Sequence, residues 1–264
     1  MADTDDILIE AEDLGRRFSG VAAVSRVSFR VRRGELVALL GPNGSGKTTL
    51  LRMLAGALAP SEGRALLCGL DPAEQSLEVR RRCGYLPERS PLYPEMRVEE
   101  YLRYRGRIRG LRGAGLLLRL HETMQYCGLS QVARRPPIGS LSLGQRRRVA
   151  IADCLLHSPD VLLLDGPLDG LDAIQSAALA GLMIDLSESC AIVFSSHSLE
   201  SLQSVCSRAL ILNAGRLIAD GTPDGLTAAQ PGAKTFAQAF VRMAAATSEP
   251  PRPAGTAPRR GRRP

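Results

Sequence analysis

Apolar and polar residues alternate at the start of the chain. Ile7 to Glu12 and Val27 to Val31 place apolar side chains at every second position, the period of a half-buried strand. Three later runs are continuously apolar instead: Leu36 to Leu40, Val161 to Leu164 and Ala191 to Phe194. Such runs predict strands covered on both faces, as in a parallel sheet. Between them the period lengthens. Thr49 to Gly56, about Ala73 to Arg81, Ser142 to Leu156 and Ala173 to Leu186 read as helices. Val98 to about Cys127 is also helical, with a break at 110–115, and Leu111, Leu116, Leu117, Leu118 and Leu120 are its expected core positions. Arg64 to Cys68 predicts a short strand. Leu14 to Phe18 reads as a polar loop ending in an exposed aromatic, and a helix is expected near 199–204. Ala209 to Leu212 and Arg216 to Ala219 flank Asn213-Ala214-Gly215 as a hairpin. Short helices over 223–228 and 235–245 follow. Strands alternating with helices predict an α/β fold with a mainly parallel core and an antiparallel edge from the N-terminal segments.

Composition narrows this only modestly. The 264 residues are 44% hydrophobic, enough for a sizeable core. No run approaches the roughly 18 apolar residues of a spanning helix, and the acidic start, Asp3 to Asp6, does not read as a signal peptide. The six cysteines are widely spaced, without a C-x-x-C pair, and read as reduced, mostly buried thiols. The net charge of +7 is unevenly spread: residues 80–148 hold 16 arginines against five glutamates. That basic stretch on an otherwise acidic body suits an anionic membrane surface or a partner, or else a solvated helical face. Aromatics at 4% are too few for the stacking platforms of nucleic-acid binders. From Ser248 the chain carries five prolines and five arginines, a composition expected to be disordered.

The candidate chemistry centres on Gly41-Pro42-Asn43-Gly44-Ser45-Gly46-Lys47-Thr48, which fits G-x-x-x-x-G-K-[ST] between a predicted strand and a predicted helix. Glycines let successive backbone N–H groups turn toward phosphate oxygens. The helix start, with Thr49 next in line, adds unpaired donors and partial positive charge. Lys47 can reach the β- and γ-phosphates, and the Thr48 hydroxyl can ligate Mg²⁺. Nucleotide binding follows from this arrangement.

Further motifs follow in order: Gly84-Tyr85-Leu86-Pro87-Glu88, Leu141-Ser142-Leu143-Gly144-Gln145, the acid Asp165 ending an apolar run, Asp169-Gly170-Leu171-Asp172, and His197 after a second such run. With them the chain resembles the ATP-binding cassette (ABC) ATPases over about residues 7–228, and within them the ATPase subunits of ABC-2-type and gliding-motility-like exporters. The resemblance implies a P-loop NTPase fold with a RecA-like parallel core, an N-terminal antiparallel β subdomain and a helical subdomain inserted at about 88–150. A C-terminal helix over 229–247 and the tail from 248 would lie beyond it. It also implies ATP and Mg²⁺ as ligands, with Phe18 stacking on adenine and Gly41 to Thr49 around the phosphates. Thr48, Asp165 and Glu88 would serve Mg²⁺, Glu88 standing where the family has glutamine. His197 would contact the γ-phosphate, and Ser142, Gly144, Gln145 and Asp172 would complete a site across a head-to-tail dimer. Separate transmembrane permease subunits, engaged through about 88–112, would hold the chain at the inner face of the membrane. The partner cassette would be a second copy or a related ATP-binding subunit. A soluble cassette in DNA repair or translation is the competing class; those usually carry paired cassettes or long coiled-coil insertions, which this chain lacks.

One departure bears on turnover. The family reads D-E-P after the strand, and this chain reads Asp165-Gly166-Pro167. The glutamate is the family's general base, and losing a general base typically costs ~10²–10⁴ in rate. Binding through Lys47 and Asp165 would persist. Three readings are open: weak hydrolysis with Glu88, Asp169 or His197 ordering the water; pairing with a subunit that keeps its glutamate; or an ATP-gated subunit that does not hydrolyse.

Overall fold

The computed structural model describes residues 6–132, 136–196 and 205–246. Two sheets organise them. In the smaller, β1 (Ile7–Phe18) pairs antiparallel with β2 (Val21–Arg32) on one side and with β4 (Glu62–Leu67) on the other. Alternation predicts a strand only to Glu12, yet β1 continues to Phe18. Register shifts around Leu14 and a left-handed Asp13 (φ 47°) absorb the irregular stretch. A bulge of this kind re-aims the side chains that follow it, and Leu14 is fully buried.

The larger sheet has the order β5-β6-β7-β3-β8-β9. Its strands are β3 (Leu36–Leu40), β5 (Cys83–Leu86), β6 (Val161–Leu164), β7 (Ala191–Ser196), β8 (Arg208–Asn213) and β9 (Arg216–Gly221). All neighbours run parallel except the β8–β9 hairpin. The antiparallel edge of this sheet is therefore β9; the N-terminal strands form a sheet of their own. Alternate residues of β3 feed two separate cores, as the two-residue period of a strand requires. Leu36, Ala38 and Leu40 face one cluster with α5 and the other helices on that side, while Val37 and Leu39 face the cluster shared with β1 and β2.

The helices are α1 (Lys47–Leu54), α2 (Ser76–Arg82), α3 (Val98–Ile108), α4 (Gly113–Tyr126), α5 (Leu143–Leu155), α6 (Ala173–Ser187), α7 (Pro223–Ala228) and α8 (Phe236–Ala246). The predicted break at 110–115 separates α3 from α4. Only part of the leucine run is core. Leu116 and Leu120, one turn apart, are buried and Leu111 is partly so, but Leu117 and Leu118 are 57% and 58% exposed. A helix advances about 100° per residue, so the two middle leucines cannot share the buried face. Five of the six cysteines are buried and Cys68 is half-buried. Burial pushes the Cys83 thiol up to about 12, so these groups behave as small hydrophobes. The helix expected near 199–204 and the tail from 248 lie outside the described residues.

His157, just after α5, is held in the cleft between the sheet and α3. Its Nε2 lies 3.1 Å from the Cys83 carbonyl oxygen and 3.3 Å from an Arg109 guanidinium nitrogen. Burial, and next the Arg109 charge, lower its pKa to about 4. The folded state thus binds this proton less readily than the unfolded chain. The resulting stability is present above pH 6.5 and is lost as the pH falls toward 4, by about 3 kcal/mol. In chemical denaturation, the stability difference between the native chain and His157→Gln should therefore shrink by about that amount between pH 7 and pH 4. A pH-independent difference would show that His157 does not titrate in this way.

Candidate functional site

The C-terminal ends of the parallel strands β3, β6 and β7 converge on one corner, the place where open α/β sheets gather ligand-binding groups. From β3 the chain enters the loop Gly41 to Gly46 and then α1. The glycines here permit close packing as much as ligand approach. A Cβ on Gly41 would run into the Leu212 carbonyl oxygen of β8, and one on Gly46 (φ 105°) would lie 2.5 Å from the Ala23 carbonyl oxygen of β2. The loop is thereby wedged between both sheets. Pro42, Asn43 and Gly44 form its exposed tip; Ser45 and Lys47 are buried and Thr48 and Thr49 half-buried. The Lys47 ammonium donates to the carbonyl oxygens of Gly41 (2.8 Å) and Pro42 (3.0 Å), so it points back along the loop interior. Burial lowers its pKa, opposed by the negative charges of Asp165, Asp169 and Glu88.

Asp165 follows β6, and its N–H continues the ladder by donating to the Leu86 carbonyl (2.8 Å). Its Oδ1 accepts from the Ser195 hydroxyl at 2.6 Å, and that hydroxyl accepts from the Gly166 N–H at 2.8 Å. Ser195 thus positions both the carboxylate and the backbone after it. Motif reading passed over this residue; the visible signal was a pair of hydroxyls ending an otherwise apolar strand. The other oxygen, Asp165 Oδ2, is buried without a hydrogen-bond partner among the described residues, as is Ser45 Oγ. A buried, unpaired carboxylate oxygen is costly, so a divalent cation at this corner would satisfy it. The donor set of Asp165 with the Thr48 hydroxyl, hard oxygens both, fits Mg²⁺.

Ser142 caps α5 as expected. Its hydroxyl accepts from the Gln145 N–H (3.2 Å), while the Gln145 side chain accepts from the Ser142 N–H (3.0 Å). Gly144 is buried behind this helix start, and Leu143 is 38% exposed. Glu88 is exposed beyond β5, and its carbonyl accepts from Arg147 of α5 (3.0 Å), which ties this loop to the segment that Ser142 opens. Phe18 ends β1 with its ring 46% exposed and the Arg16 guanidinium 4.9 Å from its centroid, a cation–π contact. Asp172 serves as N-cap of α6, accepting from the Gln175 N–H at 2.8 Å. The structure therefore gathers Lys47, Asp165, Asp169 and Glu88 at one corner. Phe18 stands at the end of β1, and the α5 start adjoins the Glu88 loop through Arg147, with Asp172 capping the next helix. His197 lies outside the described residues.

The model of the family described as "ABC transporter" matches residues 24–169, which include the loop, the α5 start and the Asp165 turn. The chain belongs to the ABC transporter ATP-binding family. The cassette is 34% identical over 245 residues to the probable multidrug ABC transporter ATP-binding protein YbhF of Escherichia coli K12. That match takes in 90% of this chain but 42% of YbhF, so the cassette spans about two fifths of the length of that relative. It is 37% identical over 225 residues to the ABC transporter ATP-binding protein NatA of Bacillus subtilis 168, covering 83% of this chain and 91% of NatA. Among solved structures, an ATP-binding subunit of an ABC transporter superposes with a TM-score of 0.80 at 29% identity, over 89% of this chain and 99% of the other. Among the described residues no helix is long and apolar enough to cross a membrane.

Proposed function

We propose that the cassette is the ATP-binding subunit of an export system and takes Mg-ATP at a head-to-tail interface between two cassettes. The observation that carries this is the corner itself: a buried lysine at a helix start, opposite a buried carboxylate with one oxygen unpaired. Lys47 and the loop N–H groups would hold the β- and γ-phosphates, and Phe18 would offer its exposed face to adenine once Arg16 yields. Mg²⁺, held by Thr48 and Asp165 with Glu88 nearby, would neutralise charge between the phosphates. Ser142, Gly144 and Gln145, at the start of α5 beside the Glu88 loop, suit the opposite nucleotide of a pair. The exporter assignment rests on relatives such as the Ralstonia nicotianae Nod factor export ATP-binding protein I, 36% identical over 220 residues.

A permease contact is supported by a groove of about 900 Å³ between α2 and α3, where Arg80 and Arg81 flank the exposed Leu77 and Ile108, while Arg105 and Arg109 pair with Asp153. Its charge and apolar floor fit an amphipathic, acidic segment of a separate membrane subunit, which would hold the cassette at the inner membrane face. Gly166 supports a second reading, an ATP-gated subunit that closes on ATP and reopens by releasing it.

Titration calorimetry with ATP, with Mg²⁺ and with EDTA, tests the core of the proposal. One ATP bound per chain, more tightly with Mg²⁺, is expected, and dimerisation on ATP should be visible by sedimentation. A chain that binds no ATP overturns it. Affinity purification from detergent-solubilised membranes tests the transport role, which fails if no integral membrane protein co-purifies.

A further inference from the structure

Gly166 has a left-handed backbone (φ 60°) at the head of a tight turn in which the Asp169 N–H donates to the Gly166 carbonyl at 3.2 Å. Pro167 occupies the second position of that turn, where its fixed φ is favoured. The turn folds the chain back on itself. As a result, a Cβ built on Gly166 would overlap Asp169 Oδ2 and lie 3.2 Å from Asp169 Cγ. The space into which a residue-166 side chain would project is therefore occupied by a carboxylate from three residues later. Asp169 is half-buried, so solvent reaches it, and its charge acts on Lys47 together with that of Asp165. Three other acids lie in the neighbourhood. Asp165 gives one oxygen to Ser195, Asp172 caps α6, and Glu88 is exposed at the loop beyond β5.

We propose that Asp169 supplies the water-ordering carboxylate of this cassette, in place of a side chain at 166. The proposal rests on the nucleotide-binding reading above. In the step it assigns, the oxygen of a water molecule attacks the γ-phosphorus of ATP. The bond from that phosphorus to the β–γ bridging oxygen breaks, its electron pair leaves on ADP, and the Asp169 carboxylate takes the proton of the water. The Asp169 carboxylate thus stands where the first carbon of a residue-166 side chain would be, on the same side of the turn as a glutamate there would extend.

The test compares the full-length native chain with Asp169→Asn and Asp169→Glu, by phosphate release with Mg-ATP across pH 5–9 and by equilibrium ATP binding. Asparagine keeps the shape and cannot accept the proton. Its turnover is expected to fall by ~10²-fold or more, with ATP affinity changed less than about threefold and the acidic limb of the native pH–rate profile abolished. Asp169→Glu should keep more turnover than Asp169→Asn. Equal turnover in the native chain and Asp169→Asn overturns the proposal. So does a native chain that binds ATP but releases no phosphate. Should Asp169→Asn not fold, a native profile without an acidic limb overturns it equally. A native chain that does not bind ATP overturns the nucleotide reading first, and this proposal with it.

Discussion

Lys47→Ala is expected to weaken ATP binding by at least ~100-fold, to the point of no measurable saturation in calorimetry at millimolar nucleotide. Lys47 is the buried cation at the start of α1, and it carries the only side-chain ammonium that the phosphate loop offers to a polyanion. A charge-assisted hydrogen bond is roughly twice as strong as a neutral one, and losing two or more in a partly desolvated site approaches the 2.7 kcal/mol of a hundredfold change. Stability should respond in the opposite sense or hardly at all. The ammonium is lodged among carbonyl oxygens, and desolvation already lowers its pKa. Alanine removes that penalty along with the bonds. A variant that binds ATP with native affinity would mean that the loop is a structural wedge between the two sheets and nothing more.

The second large effect is expected at Gly166 and is conditional on Asp169. A side chain at 166 must adopt a left-handed backbone, at roughly 1–2 kcal/mol, and must displace the Asp169 carboxylate. Gly166→Glu alone should therefore melt several degrees below the native chain, at ~2–4 °C per kcal/mol, and gain little turnover, since its Cβ displaces the Asp169 carboxylate. Gly166→Glu combined with Asp169→Ala removes the crowding and restores one carboxylate. Its phosphate release should exceed that of Asp169→Ala by ~10²-fold or more. If Gly166→Glu alone raises turnover a hundredfold without loss of melting temperature, residue 166 was simply lacking a base. Asp169 would then have no part in presenting one.

The Gly166 turn shows where sequence reading stops. The motif comparison identifies an absent glutamate and permits Glu88, Asp169 or His197 to compensate. The choice between the first two depends on a backbone angle and a three-residue turn, and His197 lies outside the described residues. Ser195 is similar. Its partner Asp165 is 30 residues away, and only the parallel pairing of β6 with β7 brings the two strand ends together. Leu14–Phe18 reads as a loop in the sequence because a bulge breaks the two-residue alternation without ending the strand. Leu117 and Leu118 read as core in the sequence because a run of leucines is apolar all round, whereas a helix buries one stripe.

What the amino-acid sequence determined by itself is local or repetitive. The strand and helix periods, the phosphate loop with its flanking elements, the Ser142 cap and the order of the motifs all follow from residues close together in the chain. For these, backbone sterics and hydrogen-bond needs act over a few positions. What the tertiary structure alone decided is convergence: that Lys47, Asp165, Asp169 and Glu88 share one corner, that Ser195 holds Asp165, and that Asp169 fills the space beside Gly166. Those relations depend on strand order and on a turn whose geometry is set by packing between distant segments.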